Sequence, residues 1–312
     1  MKHIFLVNPA AGGKDRSEQI RTEAEDLSRF LDFEHLLFIV EHEGFEAEIT
    51  EKLCNIFRSE KVRLYACGGS GTFQRVLDAA KKFKNVELAC YPCGYTNDFL
   101  KCFKNRELFS GIKNLIGGTA VTLDAAEFNG IRFCNAITIG ATAHIIGDID
   151  NYSFFSKKNR NFPYYVSTVA DIFNNRTYDF SIDIDGTDYS GKYLLVGAFN
   201  GMYYGGNLTP VKNARPDDGL LDFMLFKGVK LNEVSKAIKA FSSGDTDMVK
   251  DKIKVIRGKK MKVMQKNGLN MPCNIDGEIY PAEGMCEISV KPNGLKLVVP
   301  VGAELIPPET AL

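Results

Sequence analysis

The chain has 312 residues, of which 45% are hydrophobic and 25% are charged. These fractions are typical of a globular protein, so they exclude a wholly disordered chain, and the length corresponds to roughly two domains. Lys and Arg together number 39, as do Asp and Glu, so the formal net charge is zero, which argues against nucleic acid as the main partner.

The sequence contains no apolar run close to the roughly 20 residues that a membrane-spanning helix requires. The first apolar run, Ile4 to Val7, is too short for the core of a secretion signal. We therefore expect a cytoplasmic protein with no transmembrane segment. Its eight cysteines are then expected to be reduced thiols.

The first third of the sequence alternates between strand and helix patterns. Four compact apolar runs predict buried parallel strands, at residues 4–7, 36–40, 62–67 and 86–90. Two stripes at helical spacing predict the helices between them: Ile20, Ala24, Leu27 and Leu31, then Ile49, Leu53 and Ile56. A third helix is predicted over residues 72–83. The order predicts an α/β domain over residues 1–124, with a Rossmann-like, doubly wound parallel sheet.

From about residue 124 the pattern changes to short, alternating runs. Phe180, Ile182 and Ile184 alternate with polar residues, and Asp185-Gly186 is a typical hairpin turn. Further short strands are predicted at 193–199, 220–226, 253–256, 261–264, 286–290 and 295–299, with a hairpin turn at Asn293-Gly294. We predict an antiparallel β-sandwich domain over residues 125–312, with helices at about 164–173 and 231–241. The tail from about residue 295 could pack back on the first domain.

Glycine-rich segments follow three of the predicted parallel strands. They run from Asn8 to Lys14, from Gly68 to Thr72, and from Pro92 to Asp98. The carboxyl ends of parallel strands meet at one edge, and glycine lets a backbone approach a ligand closely, so the three segments together favour a polyphosphate site. Each segment alone is also typical of a tight turn between strand and helix. The sequence lacks the third glycine of the dinucleotide fingerprint and the Gly-Lys-Ser/Thr of a P-loop.

These segments resemble the diacylglycerol kinase catalytic family, which includes sphingosine kinases and bacterial lipid kinases. The matching segments are Asn8-Pro9, Gly68-Gly69-Ser70-Gly71-Thr72, Pro92 to Phe99, Pro216 to Asp222, and Asn274 to Glu278. Their order and spacing cover nearly the whole chain. NAD kinases share the glycine loop, but the segments ending in Phe99 and Glu278 favour the lipid-kinase branch.

The resemblance implies an enzyme that transfers the γ-phosphate of Mg-ATP to a lipid hydroxyl, such as that of diacylglycerol. By resemblance, Glu278 is the base, Asp276 is a carboxylate near the metal or the acceptor, and Asp98 is a further catalytic carboxylate. The residues implied to hold the nucleotide are Asn8, Lys14, Gly68, Gly69, Ser70, Gly71, Thr72, Gly94, Thr96 and Asn97.

The implied cofactors are ATP and Mg²⁺. Relatives also carry a structural Mg²⁺ site, which here would use the side chain of Asp218 and the backbone carbonyls of Arg215 and Leu220. A polar loop between two strands is the alternative interpretation of these residues. The Asp276-Gly277-Glu278 segment likewise has two interpretations. On one strand, Asp276 and Glu278 would project from the same face, whereas Asp276-Gly277 is also typical of a solvated turn.

The sequence departs from the family's pattern at the nucleotide site. Ser70 stands where the family has aspartate, Arg75 where it has glutamate, and Tyr95 where it has threonine. One hypothesis is an active kinase that relies on its remaining carboxylates, Asp124 among them. The other is a protein that binds nucleotide or lipid without efficient turnover. A kinase for a soluble small molecule is a third alternative.

The implied partner is a lipid substrate at the membrane surface, which would make the protein peripheral to the membrane. A basic cluster at residues 157–160 lies beside aromatic residues and would suit such a surface, although it is also typical of a solvated loop. A homodimer is one possible assembly. Cys90 and Cys93 have the spacing of a thioredoxin pair, but their position at a strand end argues against a redox role.

Overall fold

The computed structural model of the protein describes residues 1–42, 44–140, 177–206, 208–268 and 270–307. The chain divides into two compact units. The first unit comprises Met1–Leu123 and Asn293–Pro307, and the second comprises Asp124–Pro292. The predicted helix at 164–173 and the basic cluster at 157–160 lie outside the described residues.

The first unit alternates strands and helices along the chain. Its elements are β1 (Lys2–Val7), α1 (Ser17–Leu31), β2 (His35–Ile39), α2 (Phe45–Ile56), β3 (Val62–Gly68), α3 (Ser70–Ala80), β4 (Val86–Pro92), β5 (Phe103–Lys104) and α4 (Ile112–Ile116). Short 3₁₀ turns span Ala11–Gly13, Asp98–Cys102 and Arg106–Ser110. β6 (Thr119–Phe128) begins in this unit and ends in the second.

The strands of the first unit form the predicted parallel sheet. β1 pairs with β2 on one side and β3 on the other, and β3 pairs with β4. Nearly every residue of β1, β3 and β4 is buried, as expected of a parallel sheet that is covered on both faces. Val7 lies opposite Cys67, and Cys67 lies opposite Tyr91. The three strands therefore end at the same edge of the sheet.

The buried face of α2 differs from the predicted apolar stripe. Ile56 is 62% exposed, whereas Glu46 is fully buried. Glu46 can occupy this position because its carboxylate lies 2.5 Å from Nε of Arg75 on α3. An ion pair between two helices cannot be read from apolar spacing. α3 also begins at Ser70, two residues earlier than predicted.

The second unit contains mostly short strands. In chain order they are β7 (Ile131–Phe133), β8 (Ala136–Gly140), β9 (Tyr178–Ile184), β10 (Thr187–Asp188), β11 (Gly191–Tyr193), β12 (Leu195–Phe199), β13 (Leu221–Phe226), β14 (Ile253–Gly258), β15 (Lys260–Gln265), β16 (Met271–Ile275) and β17 (Glu278–Ala282). Helix α5 (Val234–Ser243) lies between β13 and β14 in the chain. β18 (Cys286–Val299) begins in this unit and ends in the first, where β19 (Glu304–Leu305) pairs with β5.

Two sheets share the core of the second unit, which confirms the predicted β-sandwich. One sheet is antiparallel and has the order β14-β13-β12-β8-β16-β17. In the other, β9 and β18 both pair with β15 in antiparallel orientation. Ile137 and Phe223 from the first sheet belong to the same buried cluster as Phe180, Met261 and Ile288 from the second. A separate buried cluster joins the six-stranded sheet to α5.

β18 runs through Asn293-Gly294, so the predicted hairpin turn at this position is wrong. Asn293 has a φ of +57°, which is a local distortion within one strand. Before this point the strand pairs with β15, with Ser289 opposite Lys260. Beyond it the strand pairs in parallel with β4, where Leu297 lies opposite Leu88. The Asn-Gly pair therefore marks the point where the strand changes partners, because asparagine tolerates a left-handed backbone.

All eight cysteines are free and buried. Burial raises the pKa of Cys90 to about 12 and that of Cys93 to about 11. A reactive pair needs a lowered thiol pKa, so these two side chains do not have the properties of a thioredoxin pair. Within the described ranges, no helix has both the length and the apolar character to cross a bilayer.

A row of polar side chains is buried at the amino-terminal end of the parallel strands. His3, Arg63 and Glu87 lie opposite one another on β1, β3 and β4. Arg63 pairs with Glu87 at 2.9 Å, and Nδ1 of His3 lies 2.7 Å from the hydroxyl of Tyr65. Burial, together with the charge of Arg63, lowers the pKa of His3 to about 4. His3 is therefore neutral in the folded protein at physiological pH.

We predict that acid destabilises the fold through His3. The unfolded chain binds a proton on His3 near the ordinary pKa of 6.5, whereas the folded chain does so only near 4. The contribution of neutral His3 to the free energy of unfolding is therefore complete above pH 6.5. It is lost as the pH falls toward 4, and the loss is at most about 3 kcal/mol. The free energy of unfolding, measured with urea, should depend less on pH in His3→Gln than in the parent. His42→Gln, at an exposed position, should keep the parent's dependence, and an unchanged dependence in His3→Gln would contradict the assignment.

Candidate functional site

The loop that follows β4 is tied to the end of β3 by one backbone carbonyl. The oxygen of Gly68 accepts hydrogen bonds from the N–H of Cys93 at 2.9 Å, the N–H of Gly94 at 3.2 Å and Nδ2 of Asn97 at 3.1 Å. Oδ1 of Asn97 in turn accepts the N–H of Gly94 at 3.1 Å. Gly68, Gly94 and Asn97, three residues predicted at the nucleotide site, therefore lie together.

The loop that follows β1 reaches the same place through Asn8. Its Nδ2 donates to Oγ1 of Thr72 at 3.0 Å, and its Oδ1 accepts the N–H of Ala10 at 3.0 Å. The backbone N–H of Asn8 donates to the carbonyl of Cys67 at 2.9 Å. The side chains of Asn8 and Thr72 therefore connect the first loop to the start of α3.

Two glycines are required where these loops cross. Gly12 has a φ of +68°, and a Cβ on it would lie 2.0 Å from the carbonyl oxygen of Cys93. A Cβ on Gly94 would lie 2.5 Å from Cα of Gly69. Only glycine allows such close backbone contact. The three glycine-bearing segments predicted to form a polyphosphate site are thus in close backbone contact.

The N-terminus of α3 opens at this convergence. Gly69 is the extended residue before the helix, and its carbonyl accepts the N–H of Phe73 at 3.1 Å. The N–H groups of Ser70, Gly71 and Thr72 belong to the first helical turn, which has no intrahelical acceptors for them. Such N–H groups, aligned with the helix dipole, favour a phosphate. Ser70 adds a neutral hydroxyl at this end of the helix.

The remaining predicted residues of the first unit lie on the same loops. Lys14 is exposed and follows the 3₁₀ turn Ala11–Gly13, and Thr96 is half-buried. Asp98 is buried, with its carboxylate 2.7 Å from Nζ of Lys101. Tyr95 lies against the first loop. Its hydroxyl is so close to Gly13 that a Cβ on that residue would lie 2.3 Å from it.

Asp276 and Gly277 form a two-residue hairpin turn between β16 and β17. Their φ values are +49° and +96°, as in the turns that suit the twist of a hairpin. Glu278 is half-buried and begins β17, where it pairs with Ile275. The expectation that Asp276 and Glu278 project from one strand is therefore wrong, because Asp276 precedes the strand.

The Asp276 turn is nevertheless not solvated. The Asp276 carboxylate accepts the N–H of Cys134 at 2.9 Å, that of Asn135 at 3.1 Å and that of Ala136 at 2.8 Å. Burial raises the pKa of Asp276, and these three donors oppose that shift. Both carboxylate oxygens are occupied by backbone donors. The roles of Asp276 and Glu278 in catalysis stay predictions.

The loop of residues 215–220 precedes β13 and carries the predicted metal ligands. Asp218 accepts the N–H of Leu220 at 3.1 Å and forms an ion pair with Arg257. Nε of Arg257 also lies 3.6 Å from the carboxylate of Asp222, the residue opposite it on the neighbouring strand. Burial raises the pKa of Asp222 to about 6, against the lowering effect of Arg257.

The ion pair between Asp218 and Arg257 competes with metal binding at this loop. A Mg²⁺ ion held by Asp218 and the carbonyls of Arg215 and Leu220 would have to displace the Arg257 guanidinium from the carboxylate. In the part of the chain that the structure describes, no three Asp, Glu, His or Cys side chains are grouped as metal ligands. Magnesium binding at this loop stays a prediction.

Two residues at these loops, Arg257 and Asn200, were missed by the sequence analysis. Arg257 follows Asp218 by 39 positions, and only the register between β13 and β14 brings the two together. Asn200 is fully buried and donates to the backbone carbonyls of Asp124 and Cys134. A buried asparagine that binds only backbone leaves no charge or spacing pattern in the sequence.

We predict that Gly12→Ala destabilises the first unit more than a comparable substitution elsewhere. The added methyl would overlap the Cys93 carbonyl and occupy a left-handed backbone position, at a combined cost of about 2–5 kcal/mol. Gly44→Ala is the matched control, because Gly44 has a φ of +87° but no atom within 4 Å of its Cβ position. Chemical denaturation measures both variants. Equal losses in the two would show that the loops are not in close contact at Gly12.

We predict that Arg257 limits magnesium binding at Asp218. Without nucleotide, Mg²⁺ should raise the melting temperature of Arg257→Ala by more than that of the parent, because the variant leaves the Asp218 carboxylate without its cation. Lys260→Ala is the control, since Lys260 pairs with Glu287 at 2.6 Å. The same small shift in all three proteins would exclude a magnesium site at this loop.

Comparisons with known proteins agree with this architecture. Residues 2–128 match the diacylglycerol kinase catalytic domain, and residues 135–299 match the YegS C-terminal NAD kinase beta sandwich-like domain. A relative from Staphylococcus epidermidis, named "Putative lipid kinase", is 27% identical over 301 residues, which is 95% of each chain. A relative from Staphylococcus aureus with the same kind of name is 25% identical over 241 residues, or 75% of this chain and 76% of that one.

The fold also recurs in solved structures. A crystal structure titled as a "putative diacylglycerol kinase" from Bacillus anthracis superposes with a TM-score of 0.75 at 22% identity, covering 98% of both chains. A second structure with that description, from the same organism, has a TM-score of 0.72 at 21% identity and covers 95% of this chain and 96% of the other. The chain therefore belongs to the diacylglycerol kinase-like family of lipid kinases.

Proposed function

We propose that the protein is an ATP-dependent lipid kinase that transfers the γ-phosphate of Mg-ATP to the hydroxyl of a lipid such as diacylglycerol at the membrane surface. The observation that carries the proposal is the convergence of three glycine-bearing loops at the N-terminus of α3. Membership of the family supports phosphoryl transfer, and the relatives named lipid kinases support a lipid acceptor.

The nucleotide phosphates bind the N–H groups at the start of α3 in this proposal. Ser70, Gly71 and Thr72 supply those groups, while Gly12 and Gly94 keep the backbone close enough to surround the phosphates. The exposed Lys14 adds a positive charge at the first loop. Mg²⁺ bound with ATP neutralises charge on the phosphates during transfer. Positioning and charge neutralisation are what phosphoryl transfer chiefly requires of a protein.

Glu278 takes the proton of the acceptor hydroxyl. As the hydroxyl oxygen bonds to the γ-phosphorus, the bond from that phosphorus to the β–γ bridging oxygen breaks and ADP leaves. The hydroxyl proton moves to the Glu278 carboxylate, which acts as a general base. Asp276 holds the turn that precedes Glu278, because its carboxylate is fully used by backbone N–H groups.

A second candidate is a protein that binds nucleotide or lipid without efficient turnover. Ser70 favours this alternative, because it places a hydroxyl at the start of α3, where the resemblance to the family implies a carboxylate. Arg257 favours it as well, since its guanidinium already neutralises the carboxylate at a predicted metal loop.

Transfer of labelled γ-phosphate from Mg-ATP to lipid vesicles distinguishes the two candidates. The vesicles contain diacylglycerol, phosphatidylglycerol or a sphingoid base, and thermal unfolding with and without ATP is measured in parallel. A labelled lipid is the expected result. ATP-dependent stabilisation with no labelled lipid would favour the binding protein, because a ligand that binds only the folded state stabilises it. Neither label nor stabilisation would contradict the nucleotide site itself.

We predict that Glu278→Gln loses about 10²–10⁴-fold in turnover, because the amide cannot accept the hydroxyl proton. Its thermal stabilisation by ATP should equal that of the parent. Glu283→Gln is a matched control at an exposed position beyond β17 and should keep full turnover. Full turnover in Glu278→Gln would exclude Glu278 as the base.

We predict that Ser70→Asp lowers the Mg²⁺ concentration needed for half-maximal phosphate transfer, because it supplies a carboxylate where relatives have one. Ser70→Asn is the uncharged control of the same size and should behave as the parent. A magnesium dependence that Ser70→Asp leaves unchanged would mean that the site functions around a neutral hydroxyl.

A further inference from the structure

A buried chain of hydrogen bonds connects the Asp276 turn to the loop of residues 215–220 within the second unit. We call this chain the Asn200 network, and its members are Asp276, the backbone of residues 134–136, Asn200, Asp124 and Gly219. Asp276 and Asp124 are each 6% exposed and Asn200 is fully buried. Asp276, Asn200 and Asp124 are thus shielded from water, which strengthens the hydrogen bonds between them and their backbone partners. Gly219, at the end of the network, is half-buried.

The first link is reciprocal. The Asp276 carboxylate accepts N–H groups from three successive residues, Cys134, Asn135 and Ala136. The backbone N–H of Asp276 donates back to the carbonyl of Ala136 at 3.1 Å. The turn that precedes Glu278 is therefore held against residues 134–136 from both sides.

Asn200 forms the central link. Its Nδ2 donates to the carbonyl of Cys134 at 2.7 Å and to the carbonyl of Asp124 at 3.0 Å. Its backbone N–H donates to the carbonyl of Asn135 at 2.8 Å. One planar amide group thus adds a direct link between Asp124 and Cys134, beside the β6–β7 pairing that places Ala126 opposite Phe133.

Asp124 makes the last link to the loop. Its N–H donates to the carbonyl of Pro216 at 2.6 Å. Its Oδ2 accepts the N–H of Gly219, also at 2.6 Å. Gly219 lies between Asp218 and Leu220, so the loop's conformation depends on where Asp124 is held.

We propose that Asn200 is a positioning residue that fixes the Asp276 turn and the 215–220 loop relative to each other, so that Glu278 and Asp218 are placed as one unit. An asparagine suits this role because its amide nitrogen carries two N–H donors, one for each carbonyl. Aspartate has the same shape but offers no donor when ionised, and serine can serve only one of the two carbonyls. Loss of the amide leaves buried carbonyls without donors, which is costly.

Hydrogen exchange tests the positioning role without any assay of activity. In Asn200→Ala and in the milder Asn200→Ser, the amide of Gly219 should exchange about tenfold faster or more, because its acceptor Asp124 loses the hydrogen bond that links it to Asn200. Thr138→Val is the matched control. Thr138, on β8 of the six-stranded sheet, is also fully buried; its hydroxyl lies 2.9 Å from that of Tyr204, and neither residue is a member of the Asn200 network.

The exchange result has two outcomes. Faster exchange at Gly219 in the Asn200 variants, with parent-like exchange in Thr138→Val, supports the proposal. Unchanged exchange at Gly219 in Asn200→Ser, or equal acceleration in Thr138→Val, overturns it. The partial donor set of serine keeps the test available even where the alanine variant does not fold.

The kinetic part of the inference rests on the proposed lipid kinase activity. Asn200→Ser should lower kcat by about tenfold while leaving KM for ATP unchanged, since the proposed nucleotide loops belong to the first unit. Thr138→Val should change neither constant, and an equal loss of kcat in that control would overturn the positioning role. A parent protein that transfers no phosphate would contradict the proposed function alone, because the exchange measurement still tests Asn200.

Discussion

The carbonyl oxygen of Gly68 is the point on which the candidate nucleotide site depends. It accepts three N–H donors from the loop after β4, so the end of β3 and that loop are held in direct backbone contact. The contact is possible only because Gly94 lacks a side chain, since a Cβ there would lie 2.5 Å from Cα of Gly69. The Asn97 side chain adds to this contact, because its Nδ2 donates to the Gly68 carbonyl and its Oδ1 accepts the N–H of Gly94. The free N–H groups of α3 are thereby presented beside a second loop rather than alone.

The parallel sheet could be predicted because its strands are buried on both faces and therefore read as continuous apolar runs. Apolar spacing predicted the buried face of a helix less well where polar side chains are buried as ion pairs. Glu46 lies inside the first unit because Arg75 faces it, and Ile56 is exposed although it fits the helical stripe. Asn293-Gly294 has the composition of a hairpin turn, but β18 has pairing partners on both sides of it, and that long-range pairing decides the conformation.

In the candidate site too, features that depend on neighbouring residues in the sequence could be predicted, and contacts between distant residues could not. The glycine loops could be predicted, since each follows a strand and each carries its own local signal. Asn200 and Arg257 could not, because their partners are distant in the chain and are reached only through sheet register. Asp276 lies between these cases. Its turn was one of two interpretations of a local motif, whereas its three backbone donors come from residues about 140 positions away.

The measurement that tests the nucleotide site most directly is hydrogen exchange in the presence and absence of ATP, with AMP as the comparison. ATP should protect the amides of residues 8–14, 68–72 and 93–98 together, and AMP, with a single phosphate, should protect them less. Protection confined to other parts of the chain, or no protection at saturating ATP, would contradict the claim that these loops bind a polyphosphate.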